Sequence, residues 1–320
     1  MSTDSGRPSA VSVSPLGSAA DVARVRETSP SLVPVIDDLE DLVAPEFVEA
    51  DAAAVVARQT MSRHRMIDLA GGAVVTALGL SRLGFGDGAQ WCSAAAGLVA
   101  ASVSASAMSQ RGSQLDRWLD HRRVAEELRS LYFQHLVESA TMDGTTRRRA
   151  IGDDVGVLVG TTKQRHSERR NAVAQGTPTV SAEAWQVYSE RRLRDQIEWM
   201  TAKSRAVESR TRVFGRAQIA LMVMAALFGF ASSLVADPLG RAFAIPVAAM
   251  AGLVAVVAAI DAVVANERLS THYLRTAKRL QLIERSIGDT PVSGGDISEI
   301  ESILMAEHRA WQVIAQEGDG

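Results

Sequence analysis

Four long stretches of the chain contain almost no charged residue, while the segments between them carry nearly all of the charge. Trp91–Ser109, Ile219–Ala236 and Ala242–Ile260 have 19, 18 and 19 residues without Asp, Glu, Lys or Arg, and Met66–Phe85 has one charge near each end. As helices, the first three would be about 27–29 Å long, close to the roughly 30 Å hydrocarbon thickness of a bilayer. A buried helix of a soluble bundle is the alternative, but such a helix usually keeps a polar face. We therefore predict an all-α protein with four membrane spans, at about 66–85, 91–109, 217–236 and 242–262.

Basic residues flank each pair of spans on one side only. The short connectors near Gly84–Gln90 and Asp237–Arg241 offer only Arg82 and Arg241, whereas the outer flanks carry Arg58, Arg63, Arg65, Arg111, Arg117, Arg122, Arg123, Lys203, Arg205, Arg210, Arg212, Arg216, Arg268, Arg275, Lys278 and Arg279. Positive flanks stay in the cytoplasm. The sequence thus predicts a multi-pass protein of the inner (plasma) membrane with both termini and the long central region cytoplasmic.

The two halves of the chain resemble each other when one is shifted by 152 residues. Ile67–Leu83 then falls on Ile219–Val235, and Arg123-x-Ala125-x-x-Leu128 falls on Arg275-x-Ala277-x-x-Leu280. We expect a disordered tail over 1–45, a first two-span unit over 46–140, a basic helical linker over 141–180 and a second two-span unit over 181–320. Both units enter the membrane from the same side, which disfavours an inverted-repeat transporter.

The segments outside the spans have the periodicity of amphipathic helices. A lead helix should begin after an N-cap at Ser181 and run unbroken into the third span. The fourth span should likewise continue as a helix past Asp261 into the cytosol. A last helix over about Ile297–Ala315 should follow Gly294-Gly295, with Asp296 and Glu299 as its capping box.

The second unit contains "YSERRLRDQIEWMTAKSRAVESRTR" at Tyr188–Arg212, a hairpin, then "YLRTAKRLQLIE" and "IESILMAEHRAW". In this layout it resembles the SLATT domains, which are two-transmembrane effector domains associated with SMODS and SLOG proteins. The resemblance covers about residues 181–315, and more weakly 50–140. The positions most similar to the family are Tyr188, Arg192, Gln196, Trp199, Lys203, Glu301, Glu307 and Trp311.

This resemblance implies a role in bacterial conflict systems. It implies a membrane effector that oligomerises and opens a pore when a nucleotide-signalling partner protein reports infection. A membrane scaffold that recruits cytosolic partners is the alternative, and a small-solute transporter is a weaker one. The expected partners are the lipid bilayer and further copies of the chain.

Some residues in and near the spans are candidates for a role in a pore. Asp68 and Asp261 lie near the cytosolic ends of their spans, where they would either line a cation-attracting mouth or pair with Arg65 or Arg216. Small residues recur at nearly every fourth place and would let helices approach closely, within one chain or between chains. They are Ser93, Gly97, Ala101, Ala105, Ala244, Ala248 and Gly252.

The sequence gives little sign of catalysis. Cys92 is the single cysteine, so an internal disulfide is excluded, and "GVLVGTTK" at Gly156–Lys163 lacks the spacing of a phosphate-binding loop. The net charge of −3 gives no argument for nucleic-acid binding. The basic segment 147–170 would contact anionic lipid or a nucleotide, or would simply be a solvated face. We predict a non-enzymatic protein without a cofactor or a metal.

Overall fold

The computed structural model describes a set of segments that are almost entirely helical. These segments are residues 14–61, 63, 115–138, 142–160, 180–234, 250, 254, 267–288 and 291–317. Within them no strand forms and extended pairing is limited to isolated bridges, such as the one between Ser14 and Gly17, which confirms the all-α prediction. The chain divides into two compact units, one of residues 1–56, 117–202 and 273–315 and the other of residues 57–116, 203–272 and 316–320.

The N-terminal segment folds into helices. Helix α1 spans Ala19–Thr28, a 3₁₀ turn spans Pro30–Leu32, helix α2 spans Val33–Leu42, and helix α3 covers residues 44–61. The Ser18 hydroxyl accepts a hydrogen bond from the Asp21 amide at 3.3 Å, and the Asp21 carboxylate accepts one from the Ser18 amide at 3.1 Å. This capping box satisfies two donors that the first turn of α1 would otherwise leave unpaired.

The prediction of a disordered tail up to residue 45 is therefore wrong for residues 14–45. Leu32, Val35, Ile36, Leu39 and Val43 are each at most 1% exposed in the first unit. Their spacing of three and four residues puts them on one helical face, and burying that face offsets the entropy of ordering the segment.

Two further helices of the first unit pack against this segment. Helix α4 covers residues 115–138, and helix α5 spans Gly144–Gly160 and packs on α2. Arg147 is buried, and its Nε donates to Asp38 Oδ2 at 2.7 Å; Arg148 pairs with the carboxylates of Asp38 and Asp41. The start of the predicted basic linker is thus a helix whose first two arginines are neutralised by α2. Residues 161–179 of that linker lie outside the described residues.

The lead helix begins and continues as predicted. Ser181 is the N-cap and accepts a hydrogen bond from the Ala184 amide at 3.2 Å. Helix α6 spans Ala182–Tyr188, a π-helical turn spans Ser189–Arg194, and helix α7 runs without interruption over Asp195–Leu234. The C-terminal part of α7 is thus the start of the predicted third span.

Helix Ala182–Phe230, which joins α6, the π-turn and most of α7, is the one described helix long and apolar enough to cross a membrane. Its 18-residue apolar window has a mean hydropathy of 1.7, and none of that window is buried against other parts of the chain. The predicted spans at 66–85 and 91–109, and all but two residues of the span at 242–262, lie outside the described residues. The continuation of the fourth span through Asp261 also lies outside them.

Two helices complete the first unit. Helix α8 spans Glu267–Ile287 and ends at Gly288, whose φ of +48° is a left-handed conformation that glycine adopts readily at a helix end. Helix α9 spans Gly294–Glu317. Its N-terminus is capped by Ser293 and Asp296, because each of the two residues accepts a hydrogen bond from the backbone amide of the other. The capping box therefore starts three residues before the predicted one at Asp296 and Glu299.

Candidate functional site

A π-helical turn and the residue before it place two family-like side chains, Arg192 and Tyr188, in the core of the first unit. In this turn, at Ser189–Arg194, the backbone hydrogen bonds join residues that are five apart instead of four. Such turns are frequent at functional sites. Tyr188 and Leu193 are fully buried, and Arg192 is 3% exposed. Tyr188 and Leu193 are five residues apart, and the wider turn is what allows both of them to face the core.

Arg192 and Glu301 form a buried, two-pronged ion pair. Arg192 Nε donates to Glu301 Oε1 at 3.0 Å, and Arg192 Nη2 donates to Glu301 Oε2 at 2.9 Å. The Tyr188 hydroxyl donates to Glu301 Oε1 at 2.9 Å, so this carboxylate, 1% exposed, accepts three hydrogen bonds. The geometry is the one in which a guanidinium and a carboxylate match best.

The pKa values of this pair of donors reflect their burial and the shared carboxylate. Burial alone would lower the pKa of Arg192, but the Glu301 carboxylate outweighs it and raises the pKa above its ordinary value. Burial, and then the Glu301 charge, raises the pKa of Tyr188 well above 10. Arg192 therefore stays charged and Tyr188 stays neutral at any physiological pH.

Helix α4 supplies a second carboxylate to Arg192. Glu126 Oε2 lies 3.4 Å from Arg192 Nη1, while Glu126 Oε1 lies 2.5 Å from Arg122 Nη2 and 3.4 Å from Arg129 Nη1. Arg122 also pairs with Asp51 of α3 at 3.2 Å. We call the set Arg122, Glu126, Arg129, Arg192 and Glu301 the buried charge network.

Aromatic rings of the core lie against the network. The Arg192 guanidinium lies 5.8 Å from the centre of the Phe133 ring, and Phe133 meets Tyr188 edge to face at 5.9 Å. The Arg129 guanidinium lies 4.9 Å from the centre of the Phe47 ring. Both are cation–π distances. Arg129 Nε has no hydrogen-bond partner among the described residues, and burial lowers the pKa of Arg129.

Glu307 is a buried carboxyl group beside the network. It is 8% exposed on α9, and burial, followed by the charge of Glu126, raises its pKa to about 7, against the opposing effect of Arg122. Near neutral pH this group therefore exists as a mixture of its protonated and ionised forms.

The remaining family-like positions lie elsewhere on the same helices. Gln196 is half-buried, and Trp199 is 44% exposed with its ring edge to face with Tyr273 at 5.4 Å. Lys203 is half-buried and interacts with a neighbouring group. Trp311 belongs to helix α9, but its side chain is outside the described part of the structure. Asp68, Asp261 and the seven small residues predicted to pack the spans also lie outside the described residues.

Sequence reasoning missed Glu126, Arg122, Arg129 and Phe133, all on α4. Their positions i, i+4, i+7 and i+11 share one helical face. Charged residues on the same helix as the fully buried Leu128 and Leu136 were the signal that could have revealed them, because such charges need partners inside the bundle.

The network holds helices together through ion pairs. Its two carboxylates, Glu126 and Glu301, both face guanidinium groups, and none of its five residues is a serine or a cysteine. No group of three potential metal ligands occurs among the described residues. The network joins α4, the π-turn and α9 electrostatically. Separating these helices would leave buried ions without their counter-ions, which is energetically costly.

Comparison with known proteins assigns a family to much of the C-terminal half. Residues 188–311 match the family model described as SMODS and SLOG-associating 2TM effector domain 1, or SLATT_1. Residues 49–150 match a model described as a protein of unknown function, DUF4231, a position consistent with a first unit of similar kind. No curated protein and no solved structure matches the chain significantly. The first match runs from Tyr188 to Trp311 and contains Arg192 and Glu301. Residues 188–311 are therefore similar to the SLATT family of two-transmembrane effector domains.

Proposed function

We propose that this chain is a non-enzymatic inner-membrane effector that oligomerises and permeabilises the membrane when triggered in a bacterial conflict system. The observation that carries the proposal is the apolar window of α7, of which none is buried against the rest of the chain. Exposed apolar side chains of this extent need lipid or protein to cover them. The SLATT match supports the proposal, because its members are described as two-transmembrane effectors.

Permeation requires several chains. Four tightly packed spans would leave no wide channel within one chain, so a pore would form between copies, with both termini in the cytoplasm. Asp68 and Asp261 would then line its cytosolic mouth, and the small residues of the second and fourth spans would let copies approach closely. If so, changing both aspartates to asparagine alters the ion selectivity; unchanged reversal potentials in the double variant would argue against that placement.

The buried charge network suits a protein that waits for a signal. A triggered pore has two packings, and a network whose ions are desolvated favours one discrete arrangement over intermediate ones. We propose that the signal, delivered by a nucleotide-signalling partner protein, shifts the packing of the helices that carry the network. The uninterrupted helix α7 would carry that shift toward the apolar window.

Induced expression in bacteria with a membrane-potential dye tests the function. Wild type is expected to depolarise cells, at the latest when it is co-expressed with its genomic neighbours. Val223→Arg puts a charge within the apolar window and should abolish both insertion and depolarisation, since a central arginine costs about 2.5–3.5 kcal/mol. Val213→Arg, also at an exposed valine of α7, adds the same charge beside Arg212 and should behave as wild type.

Leakage from liposomes separates a pore from an indirect effect. Purified full-length protein should release a trapped ion from vesicles, and the Val223→Arg protein should not. Protein that is inserted in the membrane but leaves the potential intact, even with its genomic neighbours present, would contradict the pore and favour a scaffold.

A further inference from the structure

One side of α7 is exposed along the second unit. The exposed side chains Arg212, Arg216, Ile219, Val223, Leu227 and Phe230 follow one another at steps of four and three residues, which places them on one helical face. We call them the exposed face. Phe214, Leu221, Ala225 and Phe228, which lie on the opposite side, are half-buried.

The exposed face changes chemistry along its length. Its C-terminal part is apolar, with Ile219 64%, Val223 53%, Leu227 64% and Phe230 66% exposed. Its N-terminal part carries guanidinium groups. Arg212 lies 3.4 Å from Glu208, but both side chains are more than 60% exposed, and such surface pairs are weak.

The local charge around the arginines is strongly positive. Between residues 203 and 216 the sequence has five basic residues and a single acidic one, Glu208. The guanidinium of Arg212 has further donors besides the one that faces Glu208. A phosphate with its negative charge would match the Arg212 and Arg216 positions in both charge and hydrogen-bonding geometry.

We infer that the exposed face binds an anionic phospholipid. Arg212 and Arg216 take the headgroup phosphate, and the acyl chains lie along Ile219, Val223, Leu227 and Phe230. The distance from Arg216 to Phe230 along the helix is about 21 Å, which exceeds the roughly 15 Å hydrocarbon depth of one leaflet. The apolar part of the face can therefore contact an acyl chain along its whole length. The inference rests on the proposed insertion of α7 into the membrane.

A second copy of the chain is a poorer partner for the exposed face. Copies inserted in the same membrane share one orientation, so symmetric packing through this face would bring the arginines of one copy against those of the other. Like charges that close oppose such a contact, whereas an anionic lipid neutralises them.

Lipid retention by the full-length protein tests the inference. The protein is reconstituted in a defined mixture of phosphatidylcholine and phosphatidylglycerol and re-extracted in mild detergent, and the retained lipids are quantified by mass spectrometry. Wild type should enrich phosphatidylglycerol over the mixture by about fivefold or more, the effect of one basic residue near an anionic lipid. Arg212→Gln/Arg216→Gln should retain lipid in the ratio of the mixture.

A matched variant controls for net charge. Arg205→Gln/Arg210→Gln removes two arginines of the same helix, but Arg205 lies about 16 Å from Arg216 along the axis and Arg210 lies off the exposed face. It should keep the enrichment. Added inorganic phosphate should not release the lipid, because phosphate lacks acyl chains.

The outcomes separate this inference from the proposed function. Wild-type protein that inserts but retains lipid in the bulk ratio overturns the inference alone, as does an equal loss in both double variants or release by inorganic phosphate. Protein that never enters the membrane fraction overturns the proposed function as well.

Discussion

Arg192 shows how single residues define the bundle. Its guanidinium is 3% exposed and faces Glu301 through two hydrogen bonds and Glu126 through a third contact. A buried ion pair is not by itself a large source of stability, because desolvation offsets the attraction. Removing one partner is costly, however, because the other charge stays buried and unpaired.

The first prediction concerns Glu301. Glu301→Gln keeps the size of the side chain but removes the charge that faces Arg192, so the full-length protein in detergent should lose about 3–5 kcal/mol of stability. Glu284→Gln is the control. Glu284 lies 2.7 Å from Arg194, whose side chain is 57% exposed, so the loss of stability should stay below about 1 kcal/mol. Thermal unfolding followed by tryptophan fluorescence measures both; equal midpoints would show that the buried pair does not hold the bundle.

The second prediction concerns the pH dependence that Glu307 introduces. Because the pKa of Glu307 is raised to about 7 in the folded chain, the folded chain binds this proton more tightly than the unfolded chain does. The resulting stability is fully present below the ordinary glutamate pKa and is lost as pH rises through about 7. Glutamine stays neutral, so Glu307→Gln should match wild type near pH 4.5 and exceed it at pH 8, by on the order of 2–3 kcal/mol.

Unfolding midpoints of the purified protein between pH 5 and pH 8 check this prediction. Glu299→Gln, at an exposed position of the same helix, should leave the pH profile of wild type unchanged. A Glu307→Gln profile parallel to wild type over that range would mean that Glu307 does not titrate there.

At the scale of elements, the π-turn and the N-terminal helices are what periodicity failed to predict. The α-helical period of 3.6 residues predicted helices in the segments that form α7, α8 and α9. A regular α-helix of this period would not bury both Tyr188 and Leu193, because they are five residues apart. The π-turn contains one more residue than an α-helical turn, and this brings both side chains to the same side. The Ser- and Pro-rich start of the chain concealed the apolar face from Leu32 to Val43 that follows it.

The third prediction tests the π-turn as an element. Deleting the exposed Glu190 leaves a turn of α-helical length, in which Tyr188 and Leu193 become four residues apart and still share one helical face. The deletion should therefore lower the unfolding midpoint less than the loss of a large core side chain, which costs about 2–5 kcal/mol. Glu190→Ala keeps the residue count and should also cost little; a deletion as costly as such a loss would show that the extra residue itself is required.

At the scale of the whole molecule, the uncharged runs and their basic flanks carried most of what could be predicted. They indicated helices and lipid contact, and α7 with its exposed apolar window agrees with both. The partners of Arg192 could not be predicted, because Glu126 and Glu301 lie 66 and 109 residues away in sequence and only the packing of α4 and α9 brings them together.

The fourth prediction tests which part of α7 lies in lipid. In a Cys92→Ser background, cysteine is introduced at Arg205 or at Val223, and inside-out membrane vesicles are treated with a membrane-impermeant maleimide. Arg205→Cys should be labelled at once, whereas Val223→Cys should be labelled only after detergent is added, because lipid covers its exposed side chain. Prompt labelling at both positions would place the apolar window of α7 in water.

The contact between Arg192 and Glu126 also bears on how such a chain can evolve. Arg192 belongs to the segment that matches SLATT, and Glu126 belongs to the segment that matches the other family model. A gene fragment that carried only one segment would inherit a desolvated ion without one of its counter-ions. Recombination that swaps either half between relatives should therefore succeed only when the acidic residue on one side and the arginine on the other travel together.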